Sequence, residues 1–330
     1  MSVEALVYRL LAPHDLRLDR ESLSSPGPGM IQARTLYTVL SPGTELAAWR
    51  GDPPLRPGLA YPRLVGYCSV AEIEAVGDGV AACAGQRILT FQSHRSAFVC
   101  PAAEILAVLP VGIDPCEAAA TYLFHLGYST LVRGSVLAGS RVAVVGMGCL
   151  GLASVAMAHR AGAVVDGYSD VVAREASAMR CGATHVIRKQ AVDSVEGAYD
   201  VVINTSSGWE DWFLSLRLAR KGGTVCVLGF PGRTEGKPAT NPLDSRWFYD
   251  KQLALIACGQ LAESDVPPWE NRFTVKRNCA YLLDQLARGA LPAGELITRR
   301  VAFDQLEGIY RALEAREPDL VSAALEWSAC

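Results

Sequence analysis

The run Val142-Ala143-Val144-Val145-Gly146-Met147-Gly148-Cys149-Leu150-Gly151 carries the clearest chemistry in this chain. A short apolar strand pattern enters a G-x-G-x-x-G turn, and a helical stretch, 152–161, leaves it. The first glycine permits the tight bend, the second lets backbone approach a pyrophosphate, and the third brings helix and strand close. The helix start then offers N–H groups without helical partners, and a partial positive charge, to a phosphate. The backbone of Gly146, Gly148, Cys149, Leu150 and Gly151 is therefore a candidate dinucleotide site. A second apolar strand, 164–168, and a further helix running into Gly182-Ala183 supply the context the motif requires.

A carboxylate at the tip of that second strand clasps the adenine ribose of NAD and repels a 2′-phosphate, whereas a small residue with a nearby Arg admits NADP. Counting from Gly162-Ala163 puts Ser169 at the tip, with Asp170 one residue beyond and Arg174 on the element that follows. Ser169 with Arg174 favours NADP(H). A shift of one residue would restore an acidic clasp at Asp170 and with it NAD(H), and Arg174 reads equally as a solvated helix charge.

These residues need a framework. The chain has 330 residues, 50% of them hydrophobic, which suits two domains rather than one core. A formal charge of −3 with no Lys/Arg-rich run leaves no field for nucleic acid. The N-terminus lacks the basic-then-apolar layout of a signal peptide, and the glycines inside 142–158 argue against a membrane span, so a soluble, cytoplasmic protein is expected. The 10 cysteines are scattered singly with no C-x-x-C, the pattern of buried, reduced packing residues.

Up to about Pro115 the chain is rich in Pro and Gly with short alternating strands at 69–76, 87–91 and 96–100, which predicts a compact β-rich, barrel-like domain. A helix begins near Glu117. Strands at 141–145, 164–168, 185–187, 200–204, 223–228 and 253–258 then alternate with helical stretches, predicting a parallel, doubly wound α/β sheet. A helix at 278–289, a strand near 296–303 and a helix at 303–314 close the chain.

This order, together with Leu40-Ser41-Pro42-Gly43-Thr44-Glu45-Leu46-Ala47-Ala48-Trp49-Arg50-Gly51-Asp52, Val65-Gly66-Tyr67-Cys68, Val76-Gly77-Asp78-Gly79-Val80, Gly85-Gln86-Arg87-Ile88 and Leu296-Ile297-Thr298-Arg299-Arg300, resembles the medium-chain dehydrogenase/reductase superfamily, the zinc alcohol dehydrogenase-like proteins. The resemblance spans essentially the whole chain. It implies a GroES-like catalytic domain at 1–118, a Rossmann domain at 119–262, a return to the catalytic domain at 263–330, and a homodimer.

The family's metal positions fall here on Pro42, Tyr67 and Tyr122, with Cys68 in place of an acid, and the four-cysteine lobe between Ile88 and Cys100 is missing. Proline cannot ligate and tyrosine is an uncommon zinc ligand, so no zinc is expected. Ser-Pro-Gly-Thr-Glu with Gly-Tyr looks most like the zinc-lacking branch that includes bacteriochlorophyllide a dehydrogenase and dehydrogenases of bacterial specialised metabolism.

Without a metal, hydrogen-bond donors must face the reacting oxygen, each worth roughly 3 kcal/mol. Thr44, matching the family's hydroxyl residue, is the first choice; a turn hydroxyl bonded to local backbone is the plainer reading. Tyr67 stands in the lost histidine's place as acid or base, Tyr122 has a weaker claim, and His125 is a candidate proton carrier. A packed core tyrosine and a packed helix histidine are the alternatives. Glu45 braces the site, Trp49 lines or supports the cleft, His94 and Arg95 fall on the substrate lip, and Gly229 and Phe230 match the stretch that contacts nicotinamide. Asn204, at the end of the strand 200–204, is a further candidate cofactor-binding residue.

The expected activity is zinc-independent, NAD(P)-dependent hydride transfer between nicotinamide and a secondary alcohol or ketone of a small substrate. Reduction of an activated C=C or C=N bond, and dinucleotide binding without catalysis, are the competing readings.

Overall fold

The computed structural model describes residues 3–54, 60–190, 196–259 and 273–327. Two compact units divide the chain, Met1–Tyr122 with Thr274–Cys330, and Leu123–Phe273. The expected boundary at 262/263 lies outside the described residues.

In the first unit the chain opens with an antiparallel hairpin, Val3–Ala12 and Asp15–Leu23, to which the short strand Arg63–Leu64 is added. A second, seven-stranded sheet runs in the order Arg299–Ala302, Ala323–Glu326, Met30–Val39, Ser69–Val76, Arg87–Thr90, Ala107–Val108, with Ala97–Pro101 also pairing on Met30–Val39. Its pairings are antiparallel apart from the parallel first pair. Period-two alternation explains its core: Ile31 and Ala33, Ala71 and Ile73, Ile88 and Phe98 turn one face inward. A second cluster gathers Leu10, Leu40, Trp49, Tyr310, Leu325 and Trp327.

Leu40–Asp52, treated above as a motif, contains the helix Pro42–Arg50, with proline in the first turn and Gly51 closing it at φ 79°. That glycine satisfies the helix end in the left-handed conformation a side chain resists. The strand expected near 296–303 is divided into a short helix, Ala293–Leu296, and the strand Arg299–Ala302. The helix expected at 278–289 spans Val275–Ala287, started by the Thr274 side chain, which accepts the Arg277 N–H.

The second unit holds a six-stranded sheet in the order His185–Ile187, Val164–Tyr168, Arg141–Val145, Tyr199–Asn204, Ala219–Val227, Ala254–Ala257, every pairing parallel. Numbered along the chain this is 3-2-1-4-5-6, the Rossmann order, whose switch point lies between Arg141–Val145 and Tyr199–Asn204. The strand entering the motif is wholly buried from Val142 to Val145, as a strand covered on both faces must be. The helix after the motif begins at Cys149, three residues before the sequence pattern suggested, and runs to Arg160. Among the described residues no helix is long and apolar enough to cross a membrane. Nine described cysteines are free, all buried except Cys83.

Candidate functional site

Each glycine of the motif meets a different physical demand. Gly146 sits at φ 96°, which an L side chain resists. A Cβ on Gly151 would lie 1.8 Å from the Gly146 carbonyl oxygen, so helix and turn touch there through bare backbone. Gly148 is different: beyond its immediate chain neighbours no atom of the described residues lies within 4 Å of an added Cβ, and the residue is extended at φ −80°, ψ −170°. It therefore leaves open space at the helix start. No side chain caps this helix, and its first turn precedes the first helical bond, Leu152 N–H to Gly148 O. The amides of Cys149, Leu150 and Gly151 thus remain for an anion. Burial pushes the Cys149 thiol up to about 12, so it stays protonated and is no nucleophile; the Arg174 charge acts on it in the opposite sense.

At the strand tip, Ser169 is buried and its hydroxyl accepts the Val171 N–H at 3.1 Å. Asp170 is exposed, but its carboxylate accepts the Lys189 N–H at 3.1 Å and its carbonyl accepts from Arg188 at 2.8 Å. The Asp170 carboxylate is thus tied to the segment after His185–Ile187. Arg174 ends the single 3-10 turn Val172–Arg174, and its influence on Cys149 places its charge toward the fingerprint helix.

Asn204 closes the strand at the switch point. Its side-chain oxygen accepts the Ser206 N–H at 2.9 Å, while Nδ2 is buried with no hydrogen-bond partner among the described residues. A buried donor without an acceptor costs about 1–3 kcal/mol, so this amide is a group waiting for a partner. Gly229 donates to the Asn204 carbonyl at 3.0 Å, and a Cβ there would lie 2.2 Å from the Ser206 oxygen. Phe230 is 48% exposed, with the Arg233 guanidinium over its ring at 4.2 Å.

In the first unit the expected oxygen-site residues are held by a buried hydrogen-bond chain. The Tyr67 phenol donates to Ser41 Oγ. Ser41 N–H donates to Glu45 Oε1 at 2.6 Å. Glu45 Oε2 accepts from the Tyr310 hydroxyl at 2.7 Å and pairs with His94 Nε2 at 2.9 Å. His94 Nδ1 meets Thr38 Oγ1 at 2.7 Å, and Thr38 Oγ1 accepts the Trp327 indole N–H at 3.0 Å. Since a carboxylate only accepts, this order puts a ring proton on His94 Nε2. Burial, then the Glu45 charge, raises the Tyr310 hydroxyl well above the usual range and keeps it a donor. Glu45 is 2% exposed, and three donors compensate its charge.

These placements revise several roles. His94 is 0% exposed with both ring nitrogens engaged, so it stands behind the site and not at a substrate lip. A Cβ on Gly66, at φ 83°, would lie 2.7 Å from three His94 ring atoms; the residue before Tyr67 must therefore be glycine. Arg95 is turned to Ser93 Oγ at 2.9 Å and feels Glu21 and Arg9 of the hairpin, again as support. Trp49 is fully buried and donates to Glu314 at 3.1 Å. His125 is 2% exposed, and burial pulls its imidazole down to about 4, which removes it as a proton carrier near neutral pH.

Thr44 is half-buried in the first helical turn, its amide bonded to Ser41 O at 3.1 Å, and its hydroxyl has no partner among the described residues. The Tyr122 ring packs edge-on against Tyr67 at 5.7 Å and Phe91 at 4.6 Å. Thr38, Ser41, Phe91, Tyr310 and Trp327 were missed from sequence. Ser41 had a visible signal as the serine opening Ser-Pro-Gly-Thr-Glu; Tyr310 and Trp327 arrive from the far end of the chain and had none. Among the described residues no three His, Cys, Asp or Glu side chains converge as a metal site.

A Rossmann sheet with a glycine-built phosphate turn, in a chain that also forms a separate unit of largely antiparallel sheets, defines a class of nucleotide-binding α/β proteins. Residues 149–267 match the family described as zinc-binding dehydrogenase. Over 42% of this chain, the sequence is 32% identical to "Probable formaldehyde dehydrogenase AdhA" of Bacillus subtilis. Over 22% of the chain it is 34% identical to 2-desacetyl-2-hydroxyethyl bacteriochlorophyllide A dehydrogenase of Rhodobacter capsulatus. The matched stretches span 39% and 23% of those proteins. A Sinorhizobium meliloti structure bound to NADP superposes with a TM-score of 0.77 at 22% identity, over 98% of this chain and 99% of that one. Residues 149–267 thus carry a domain like that of the zinc-binding dehydrogenases, and the fold across the whole chain is shared with the Sinorhizobium meliloti structure.

Proposed function

We propose that this protein is an oxidoreductase that exchanges hydride between a nicotinamide cofactor and a secondary alcohol or ketone of a small substrate, without zinc. The observation that carries the reading is that one unit holds a phosphate turn while the other holds the tyrosine hydroxyls of Tyr67 and Tyr122 at the positions the resemblance gives to metal ligands. The cofactor fits the residues present: the open face of Gly148 admits a pyrophosphate, the amides of 149–151 meet its charge, and Asn204 Nδ2 offers a donor. NADP(H) is favoured because Ser169 brings no charge, Asp170 is engaged elsewhere, and Arg174 stands near the helix start.

A zinc ion does not fit. Pro42 has no ligating atom, the Tyr67 phenol is committed to Ser41, and the Tyr122 ring packs against Tyr67 and Phe91.

When bound, the nicotinamide supplies or accepts the hydride. The chain's own residues then manage the oxygen. Thr44, whose hydroxyl has no partner among the described residues, donates a hydrogen bond to it, and Tyr67 gives it a proton in reduction and takes one in oxidation. Glu45, His94 and Tyr310 fix the segment that carries both hydroxyls. We assign the protein to the zinc-lacking branch of the family and expect a homodimer.

The test is the product. Purified protein with NADPH and a panel of ketones, enones and imines should yield secondary alcohols. Saturated carbonyls or amines would move the reading to C=C or C=N reduction, and no turnover with tight NADPH binding would leave a dinucleotide-binding protein.

A further inference from the structure

Ser41 is the N-cap of helix Pro42–Arg50, and a serine there ordinarily turns its hydroxyl onto an N–H of the first turn. Here it makes no such bond. A bond like the returning half of a capping box is nevertheless in place one residue later than usual, because Glu45, at the fourth helical position and not the third, reaches back to accept the Ser41 N–H at 2.6 Å. The missing half has been diverted: among the described residues the hydrogen-bond partner of Ser41 Oγ is the Tyr67 phenol, and both side chains are buried. A cap that gives up its helix bond for a distant tyrosine contributes less to the helix than a bonded cap does, and what it gains is a hydroxyl held against one phenol oxygen.

We propose that Ser41 is a positioning residue for proton transfer by Tyr67, a role that rests on the reading of Tyr67 as the acid. In the structure Tyr67 donates and Ser41 accepts. For the proton to reach the substrate oxygen, the Tyr67 O–H first turns away from Ser41 and the Ser41 hydroxyl rotates to donate to the phenol oxygen; when the O–H bond breaks, that donor meets the phenolate left behind, and a solvent proton then restores the phenol. A hydroxyl can reverse direction in this way because it both donates and accepts, which neither a carbonyl nor an amide N–H can do. The Ser41 amide on Glu45, itself gripped by His94 and Tyr310, keeps the oxygen in place during the reversal. Glu45 and His94 therefore act on the proton only through Ser41.

The test compares Ser41→Ala, Ser41→Thr and Tyr67→Phe, reading kcat, KM for a ketone substrate and the melting temperature. Ser41→Ala should lower kcat by about tenfold or more, as expected for loss of a donor at developing charge, with KM within about twofold. Its melting temperature should fall only modestly, since no capping bond is lost while the Tyr67 phenol loses its acceptor, and Ser41→Thr should restore most of kcat. An unchanged kcat in Ser41→Ala beside a collapsed Tyr67→Phe overturns the role of Ser41 and leaves that of Tyr67. A loss in Ser41→Ala that follows a large fall in melting temperature, and that threonine does not relieve, shows an ordinary structural serine and also overturns it. Unchanged turnover in Tyr67→Phe removes the underlying reading itself.

Discussion

The glycine turn and the proposed oxygen site are built on opposite principles. The turn is backbone: its glycines lie within six residues, and each is required by a φ angle, a close approach or an open face. The oxygen site is side chain: Ser41, Tyr67, Glu45, His94, Thr38, Tyr310 and Trp327 come from segments almost three hundred residues apart, as the 289 positions between Thr38 and Trp327 show. A backbone device tolerates sequence drift around it but no added atom within it. A side-chain network tolerates substitution in isolation but leaves an orphaned donor or charge whenever one member goes.

That contrast can be broken at either end. The largest effect is expected at Gly151→Val, whose side chain would begin 1.8 Å from the Gly146 oxygen; the fold of the unit should fail, read as loss of soluble protein or of the melting transition. Gly148→Ala meets no atom of the described residues beyond its chain neighbours, so melting should be unchanged while NADPH affinity, followed by fluorescence titration, drops about tenfold or more. Equal stability and equal affinity in Gly148→Ala would show that nothing approaches that face. In the network, Glu45→Ala should cost about 3–5 kcal/mol in chemical denaturation, because three donors lose their acceptor.

A pH effect of similar size is expected at His125. Burial holds its imidazole at about 4 against the ordinary 6.5. The unfolded chain therefore takes up the proton first as pH falls. Stability that is whole above pH 6.5 is lost progressively toward pH 4, by about 3 kcal/mol. His125→Gln should flatten that window in denaturation measured across pH while leaving the neutral-pH rate unmoved. A kcat that follows a His125-dependent step near pH 6.5 would instead restore it as a proton carrier. The smallest effect is expected at Arg174→Ala, which should weaken NADPH about tenfold and leave NADH unaffected; equal losses for both would make Arg174 a general contact.

The same contrast explains what could be read in advance. The parallel sheet was legible because apolar runs such as 141–145 and 164–168 are buried on both faces and keep their pattern whatever surrounds them. The opening hairpin, Val3–Ala12 with Asp15–Leu23, escaped notice because its exposed face carries Arg and Glu ion pairs in an irregular alternation. At the site, Tyr67 and Glu45 could be located because they sit inside compact motifs. Their partners could not, since nothing local in Tyr310 or Trp327 announces which carboxylate or hydroxyl it will meet. His94 was misplaced for a related reason: a histidine in a loop of polar residues looks exposed, and only the bare backbone of Gly66 makes room to bury it.

The most direct measurement is the rate of ketone reduction by NADPH with protein stripped of metal by a chelator and verified by elemental analysis. Hydroxyl groups standing where the family places a cation require the full rate in the stripped protein, with no gain on adding zinc. A rate lost on stripping and regained with one equivalent of zinc would contradict the account at its centre.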